Sequence, residues 1–268
     1  MFSKRKYELK KQNDAQYLAN LLKRQNKNRF YNQEFSNLHE RKKMIKKVMY
    51  VLCNGMQYRP STFFASVSLF DSVISQFSVH KTMLQKVALV CVSLSSKQRE
   101  QQTDILKLKD LAKLFSLKDA HELKKIENFI LKALKFDLST VTPYDFTSFF
   151  LEDPEIFAFL KGQCNSVDKF GYVQLIAKLQ LMIIENYEMN KYTPSALAVT
   201  VLMLSKEVLG CQVSLPASVK RKLRCEEKNF GPLFGVLRSW MSKESGGFGK
   251  RRFKVAEEKC SKSAANVF

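Results

Sequence analysis

The chain has 268 residues, of which 45% are apolar and 12% aromatic, with only 9 Gly and 6 Pro. That is enough apolar material for one large domain or two of ordinary size, and too few backbone breakers for a loop-rich or disordered chain. Lys and Arg exceed Asp and Glu by 45 to 25, a formal charge of +20, which fits a solvated basic surface or an acidic or polyanionic partner without choosing between them.

Residues 1–35 are polar and rich in Lys, Asn and Gln. They either form a helix over 14–22, with Ala15, Leu18, Leu21 and Leu22 on one face, or remain loose. A helix is expected over residues 36–56, with Leu38, Ile45, Met49, Leu52 and Met56 as an apolar stripe at helical spacing. Lys43, Lys46 and Lys47 point away from that stripe, but Lys42 falls inside it. Pro60 opens the next helix, striped by Phe63, Val67, Phe70, Ile74 and Phe77, with Asp71 at the edge. The helix expected over 81–97 is apolar on most sides, as a helix buried in the middle of its domain must be. A short helix follows near 105–115. Another runs over 119–134 with Leu123, Ile126, Phe129, Ile130 and Ala133 inward.

Thr142 is a good helix cap, Pro143 suits a first helical turn, and Asp145 is placed to complete the cap. The domain boundary is set here. The expected division is a basic polar segment over 1–35, an N-terminal domain over 36–140, and a C-terminal domain with a basic tail over 141–268. In the second half, helices are expected over 172–187, 195–209 and 231–241. VALVCVSLSSK, ending at Lys97, resembles ALAVTVLMLSK, ending at Lys206, a faint internal repeat of buried central helices.

Several function classes are excluded. The longest apolar run, residues 194–204, is too short to span a bilayer, and MFSKRKYELK has no apolar signal core. Cys53, Cys91, Cys164, Cys211, Cys225 and Cys260 form no CxxC pair and are not spaced with His39, His80 or His121 as metal ligands. A reduced intracellular protein is expected, without metal or cofactor. The tail Gly246-Gly-Phe-Gly-Lys-Arg-Arg lacks the phosphate-loop pattern, and no catalytic constellation is present. The chain reads as a non-enzyme.

The order of several segments carries a resemblance. LFDSVIS, TMLQKV and LSSKQRE in the first half, IENFILKALKFDLSTVTPYDF at the middle, YEMNKYTPSALAVTVLML beyond it and the terminal EEKCSKSAANV together resemble the cyclin family, closest in pattern to the mitotic A and B types. The resemblance implies an all-α protein of two consecutive five-helix cyclin folds. It also implies a non-catalytic subunit that binds and activates a cyclin-dependent protein kinase in the nucleus or cytoplasm.

In cyclins a paired Lys and Glu grip the kinase helix that carries its catalytic glutamate. Carried over, these are Lys97 and Glu127, with Glu100 beside them and apolar contacts from Leu94, Phe136 and Leu138. The family's substrate-docking groove, for substrate or inhibitor proteins, maps to Met44, Ile45, Val48 and Gln85. Its buried ion pair maps to Lys42 and Asp71. The chain departs from the family pattern at Gln98, where an aromatic is usual, and at Arg99, where an acid is usual. Without the resemblance, Lys97 is an ordinary cation at a helix C-terminus, Glu127 a solvated residue, and Phe136 and Leu138 core. The net charge keeps a second reading open, a nucleic-acid-binding protein on the same fold; loss of kinase activation with the fold kept as a scaffold is a third.

Overall fold

Two helices with no fully polar face form the centre of the first half of the chain. In a computed structural model, α4 (Pro60–Gln76) buries Thr62 to Val67 and Leu69 to Ile74, and α5 (Leu84–Arg99) buries Leu84 and the whole run from Val87 to Ser96. α4 packs along α5. Both contain many serines, several of which are tolerated inside because their hydroxyls bond back to the preceding turn. Ser66 donates to the Phe63 carbonyl (2.7 Å), Ser72 to that of Ser68 (2.9 Å) and Ser96 to that of Ser93 (2.9 Å).

The structure describes residues 2–25, 37–117, 119–161, 169–209, 211–223 and 230–244, with only the backbone described at 2–12, 160–161, 169–170 and 241–244. Among them every regular element is helical. Around α5 stand α6 (Leu108–Leu114), α7 (Ala120–Ala133) and a helix in three pieces: α2 (Leu38–Met44), a π turn over Ile45–Met49, and α3 (Tyr50–Gly55). α1 (Phe2–Arg24) precedes them, and the polar N-terminal segment is helical here because Leu18 and Leu21 are buried. The later helices are α8 (Pro143–Glu152), α9 (Pro154–Lys161), α10 (Lys169–Glu185), α11 (Pro194–Val208), α12 (Ala217–Leu223) and α13 (Gly231–Glu244). None of the described helices is long and apolar enough to cross a membrane.

The chain divides into two compact units. One comprises Met1–Asp145 with Ile184–Ser195, the other Phe146–Ile183 with Ala196–Phe268. The first unit is organised by one buried cation. Arg41 is 1% exposed. Its guanidinium grips Asp71 with two donors, Nε to Oδ1 at 2.6 Å and a terminal nitrogen to Oδ2 at 2.7 Å. The remaining donors reach the carbonyls of Ile184 (2.9 Å) and Glu185 (3.0 Å). Asn190 completes the Asp71 carboxylate at 2.8 Å, and the Tyr187 ring lies 5.2 Å from the guanidinium carbon. The geometry suits a buried Arg, which offers a planar fork of donors to a carboxylate.

This pair corrects the expected Lys42–Asp71 bridge by one residue. A π turn holds an extra residue relative to an α turn, so the apolar stripe read back from Met49 and Leu52 arrives at Arg41 rather than Lys42. Lys42 lies near Glu185 instead, at 3.6 Å. The same phase change turns Leu38 outward. A second correction concerns α7, whose buried residues are Leu123, Ile126 and Ile130, with Phe129 turned to solvent. Cys53 and Cys91 are free and buried, but Cys211 is disulfide-bonded, against the expectation of reduced thiols throughout. Cys164, Cys225, Cys260, the basic tail at 250–254 and the terminal EEKCSKSAANV lie outside the described residues.

In the second unit, α11 is the helix buried nearly all round, from Leu197 to Lys206. Tyr172 bonds the Ser205 hydroxyl, and burial pushes its phenol up to about 12. Gln180 donates to Thr147 at 2.8 Å. Lys222 pairs with Asp153 and lies over the Phe149 ring. Burial draws the Asp153 carboxyl upward, but the Lys222 bond and the backbone N–H groups of Glu155 and Ile156 outweigh it and hold the pKa below the usual carboxylate range.

Two expectations follow for stability. Arg41→Ala leaves Asp71 buried without its cation and should cost roughly 3–5 kcal/mol, whereas Lys42→Ala should cost about 0–1 kcal/mol. Urea denaturation of the two variants measures the difference, and equal losses would contradict the one-residue shift. Because the Asp153 pKa is depressed on folding, its contribution is present above the unfolded carboxylate pKa of about 3.9 and is lost as pH falls through the lower folded value. Asp153→Asn should therefore destabilise near neutral pH and flatten the acid limb of a melting-temperature profile.

Candidate functional site

The end of α5 and the middle of α7 bring the sequence-selected lysine and glutamate together. Lys97 lies in the last turn of α5, where a cation is favoured by the helix dipole, and its Nζ donates to Glu127 Oε1. The side chains are 42% and 12% exposed, so the pair sits at the surface with the carboxylate recessed. Glu127 stands one position after the buried Ile126, at the edge of the face that α7 packs against α5.

Phe136 lies just beyond. α7 ends in a left-handed turn in which both Lys135 (φ 51°) and Phe136 (φ 59°) have positive φ. The Phe136 N–H closes the turn on the Leu131 carbonyl at 2.7 Å, and the Lys135 N–H on that of Lys132 at 3.0 Å. Glycine is the ordinary occupant of such positions, and a bulky residue there costs on the order of 1 kcal/mol. The ring recovers nothing by burial, being 69% exposed. A strained, solvated phenylalanine in the turn that ends the helix carrying Glu127 is suited to contact with something outside the chain. Leu138 is half-buried in the segment that follows.

Leu94 and Glu100 are placed otherwise. Leu94 is 3% exposed and belongs to the core of α5, so the expected apolar contact from it is corrected. Glu100 faces inward to the start of α4. Its Oε1 accepts the Arg59 N–H at 2.8 Å and the Thr62 hydroxyl, while Arg59 Nε approaches Oε2 at 3.7 Å. α4 opens on Arg59-Pro60 without a side-chain cap of its own, and Glu100 supplies the carboxylate that its N-terminus lacks. Burial and that nearby charge push the Cys53 thiol up to about 12. A helix start with no Ser, Thr, Asp or Asn before its proline is the signal in the sequence that a distant acid had to serve.

The expected groove is not open. Met44, Ile45 and Val48 are all buried, and only Gln85 is partly accessible. Ile45 lies on the apolar stripe as its spacing predicts, Met44 and Val48 join it inward across the π turn, and Lys43, Lys46 and Lys47 stay on the surface. Nearby, Lys81 binds Glu40 at 2.8 Å, with Lys43 at 3.9 Å, and these cations hold the Glu40 carboxyl below the usual range.

Arg99, unremarked except as a departure, holds the segment after Leu138 in place. One guanidinium nitrogen donates to Asp145 Oδ1 and another to the Thr140 carbonyl, both at 3.0 Å. Asp145 Oδ2 meanwhile accepts the Thr142 N–H (2.8 Å) and hydroxyl (2.7 Å), the capping expected from the sequence. The second Ser-Lys exit does not reproduce the site. Lys206 is fully buried, its Nζ 4.0 Å from the centre of the Phe159 ring and 3.3 Å from Ser214 Oγ.

The family described as "Cyclin, N-terminal domain" matches residues 13–139. Over 173 residues the chain is 27% identical to putative cyclin-D6-1 of Arabidopsis thaliana, covering 63% of this chain and 55% of that protein. It is 30% identical over 169 residues to cyclin-B2-1 of the same plant (62% and 34%), and 29% identical over 160 residues to the G2/mitotic-specific cyclin-A of Drosophila melanogaster (58% and 29%). The chain thus spans between 29% and 55% of the length of these relatives. Among solved structures, a viral cyclin from herpesvirus saimiri superposes with a TM-score of 0.63 at 19% identity, covering 84% of this chain and 96% of that one. That likeness is one of fold.

Removing the Arg99 clasp should loosen the segment that carries Leu138 without unfolding the helices. Arg99→Glu forfeits charge-assisted hydrogen bonds worth roughly 1.5–3 kcal/mol. Amide exchange over residues 134–142 should accelerate by about ten-fold or more, with α5 amides unchanged. Unaltered exchange in that segment would show that the clasp does not hold it.

Proposed function

The chain is a divergent member of the cyclin family, and from that premise we propose that it is the non-catalytic regulatory subunit of a cyclin-dependent Ser/Thr protein kinase acting in cell-cycle control. The observation that carries the reading is the surface ion pair of Lys97 and Glu127, with the solvated ring of Phe136 in the turn that ends the helix carrying Glu127. A kinase must pair its strand lysine with its helix glutamate before it can align the ATP phosphates. A partner that binds only the inward position of that helix shifts the equilibrium toward activity.

The energies assign the roles. Moving a kinase from mostly inactive to mostly active needs roughly 5 kcal/mol of differential binding. An exposed ion pair contributes about 0–1 kcal/mol, whereas burying an aromatic or aliphatic side chain contributes about 1.5–3 kcal/mol each. Phe136 and Leu138 supply affinity in this scheme. Lys97 and Glu127, already held to each other, fix register and offer a charged donor and acceptor to backbone groups of the kinase helix. Glu100 and Leu94 act through the fold, by holding α4 and α5. The partner is a cyclin-dependent protein kinase met in the nucleus or cytoplasm, and substrate or inhibitor proteins reach the subunit through it.

A second reading is favoured by the net charge of +20, namely binding of nucleic acid by the same fold. It requires affinity that falls steeply with salt.

Co-purification separates these readings. Lys97→Ala with Glu127→Ala should reduce capture of the kinase at least ten-fold, and Phe136→Ala should reduce it similarly, with the helical circular dichroism signal retained. Undiminished capture by both variants would refute the site. A kinase assay with and without the chain tests activation, and oligonucleotide binding between low and moderate salt tests the alternative.

A further inference from the structure

We infer that the outer face of α7 is a second docking surface, distinct from the Lys97–Glu127 site, for a peptide segment that flanks one bulky apolar side chain with carboxylates. The solvent-facing stripe of this helix carries His121, Lys125, Asn128, Phe129 and Lys132, all exposed and none acidic. Glu127 is two residues from Phe129, about 200° around the helix, and is directed to α5.

Phe129 is 51% exposed. Among the described residues its aromatic partner is Phe77, the residue that ends α4, met edge-on with centroids 5.1 Å apart at 70°. Phe77 is itself half-buried, so the two rings form an apolar step at the surface. Lys125 and Lys132 stand one turn before and one turn after Phe129, about 10 Å apart along the helix axis. The carboxylates of α7 that would have offset them are engaged elsewhere. Glu122 accepts Lys86 at 2.6 Å and Glu127 accepts Lys97, while Asp119 caps the helix by accepting the His121 N–H at 2.7 Å. The packing of α7 against α5 thus uses up its acids and leaves its outer lysines uncompensated among the described residues.

The charge selects the occupant. A carboxylate on each side of an apolar anchor matches Lys125, Phe129 and Lys132 in order, and the aliphatic stems of the lysines extend the apolar surface. A second copy of this chain would bring a net +20 against the same lysines. Single-stranded nucleic acid binds by stacking successive bases on successive rings, and one half-exposed ring already in edge contact with Phe77 offers no such series.

Selection from a random peptide display library on the full-length chain tests the proposal. The expected result is enrichment of sequences with Asp or Glu on both sides of Phe, Leu, Ile or Trp. Their affinity, measured by fluorescence anisotropy of a labelled winner, should fall at least ten-fold for Lys125→Glu, Phe129→Ser, Lys132→Glu and remain unchanged for Lys97→Ala, Glu127→Ala. Should the triple variant melt early, Lys125→Gln with Lys132→Gln supplies the comparison. No enrichment, enrichment without acidic residues, or winners that bind the variants equally well would overturn it. So would a twenty-nucleotide oligo-dT that binds this face in place of any peptide. Because the Lys97–Glu127 variant is a control here, failure of this surface and failure of the kinase site are read separately.

Discussion

The first unit depends on the burial of one guanidinium. Arg41 is buried, and four of its five N–H donors are met by Asp71 and by the carbonyls of Ile184 and Glu185. A buried charge is tolerated only when its donors are satisfied. That requirement fixes the rotation of α2, the face that α4 turns toward it, and the path of residues 184–195, which otherwise follow a helix counted largely with the second unit. The apolar packing of α4 on α5 supplies the mass of the stabilisation. The ion pair decides which of several similar packings is adopted, because a rotation of α2 would strand a charge in the core.

The C-terminal end of α5 shows how a surface site is made rigid by partly buried neighbours. Past Lys97, the chain places Arg99 and Glu100 in succession, one toward the segment that leads into α8 and the other toward the start of α4. Each satisfies backbone groups of another element. The exit of α5 is thereby anchored on both sides, and Lys97 projects from a fixed point toward Glu127. Phe136, by contrast, is held by its own backbone in a left-handed turn. The ion pair and the ring are positioned by independent means.

Much of this was legible in the sequence. Apolar runs in α4, α5 and α11 announced helices buried on nearly every side, and Thr142, Pro143 and Asp145 announced a capped start that the structure contains. The Lys97–Glu127 contact followed from family resemblance, since spacing alone gives no reason for two residues thirty apart to meet. What could not be read came from two sources. The first is the π turn, which changes the helical period within five residues and so moved the ion pair from Lys42 to Arg41 and turned Met44 and Val48 inward beside Ile45. The second is the assignment of charged residues between helices. Whether Glu100 faces a partner or an uncapped helix start depends on where α4 begins in space, and Phe129 reads as core until Leu123, Ile126 and Ile130 are seen to fill the available width.

The two lysines that end the repeated Ser-Lys motif have opposite surroundings, one solvated beside a carboxylate and the other enclosed against the Phe159 ring and Ser214. The same residue type thus ends both buried helices in different surroundings. An enclosed ammonium finds its partners inside the protein, so Lys206 is not presented at the surface as Lys97 is. Any asymmetry in how such a chain engages a larger assembly is already written into the fate of a single amine.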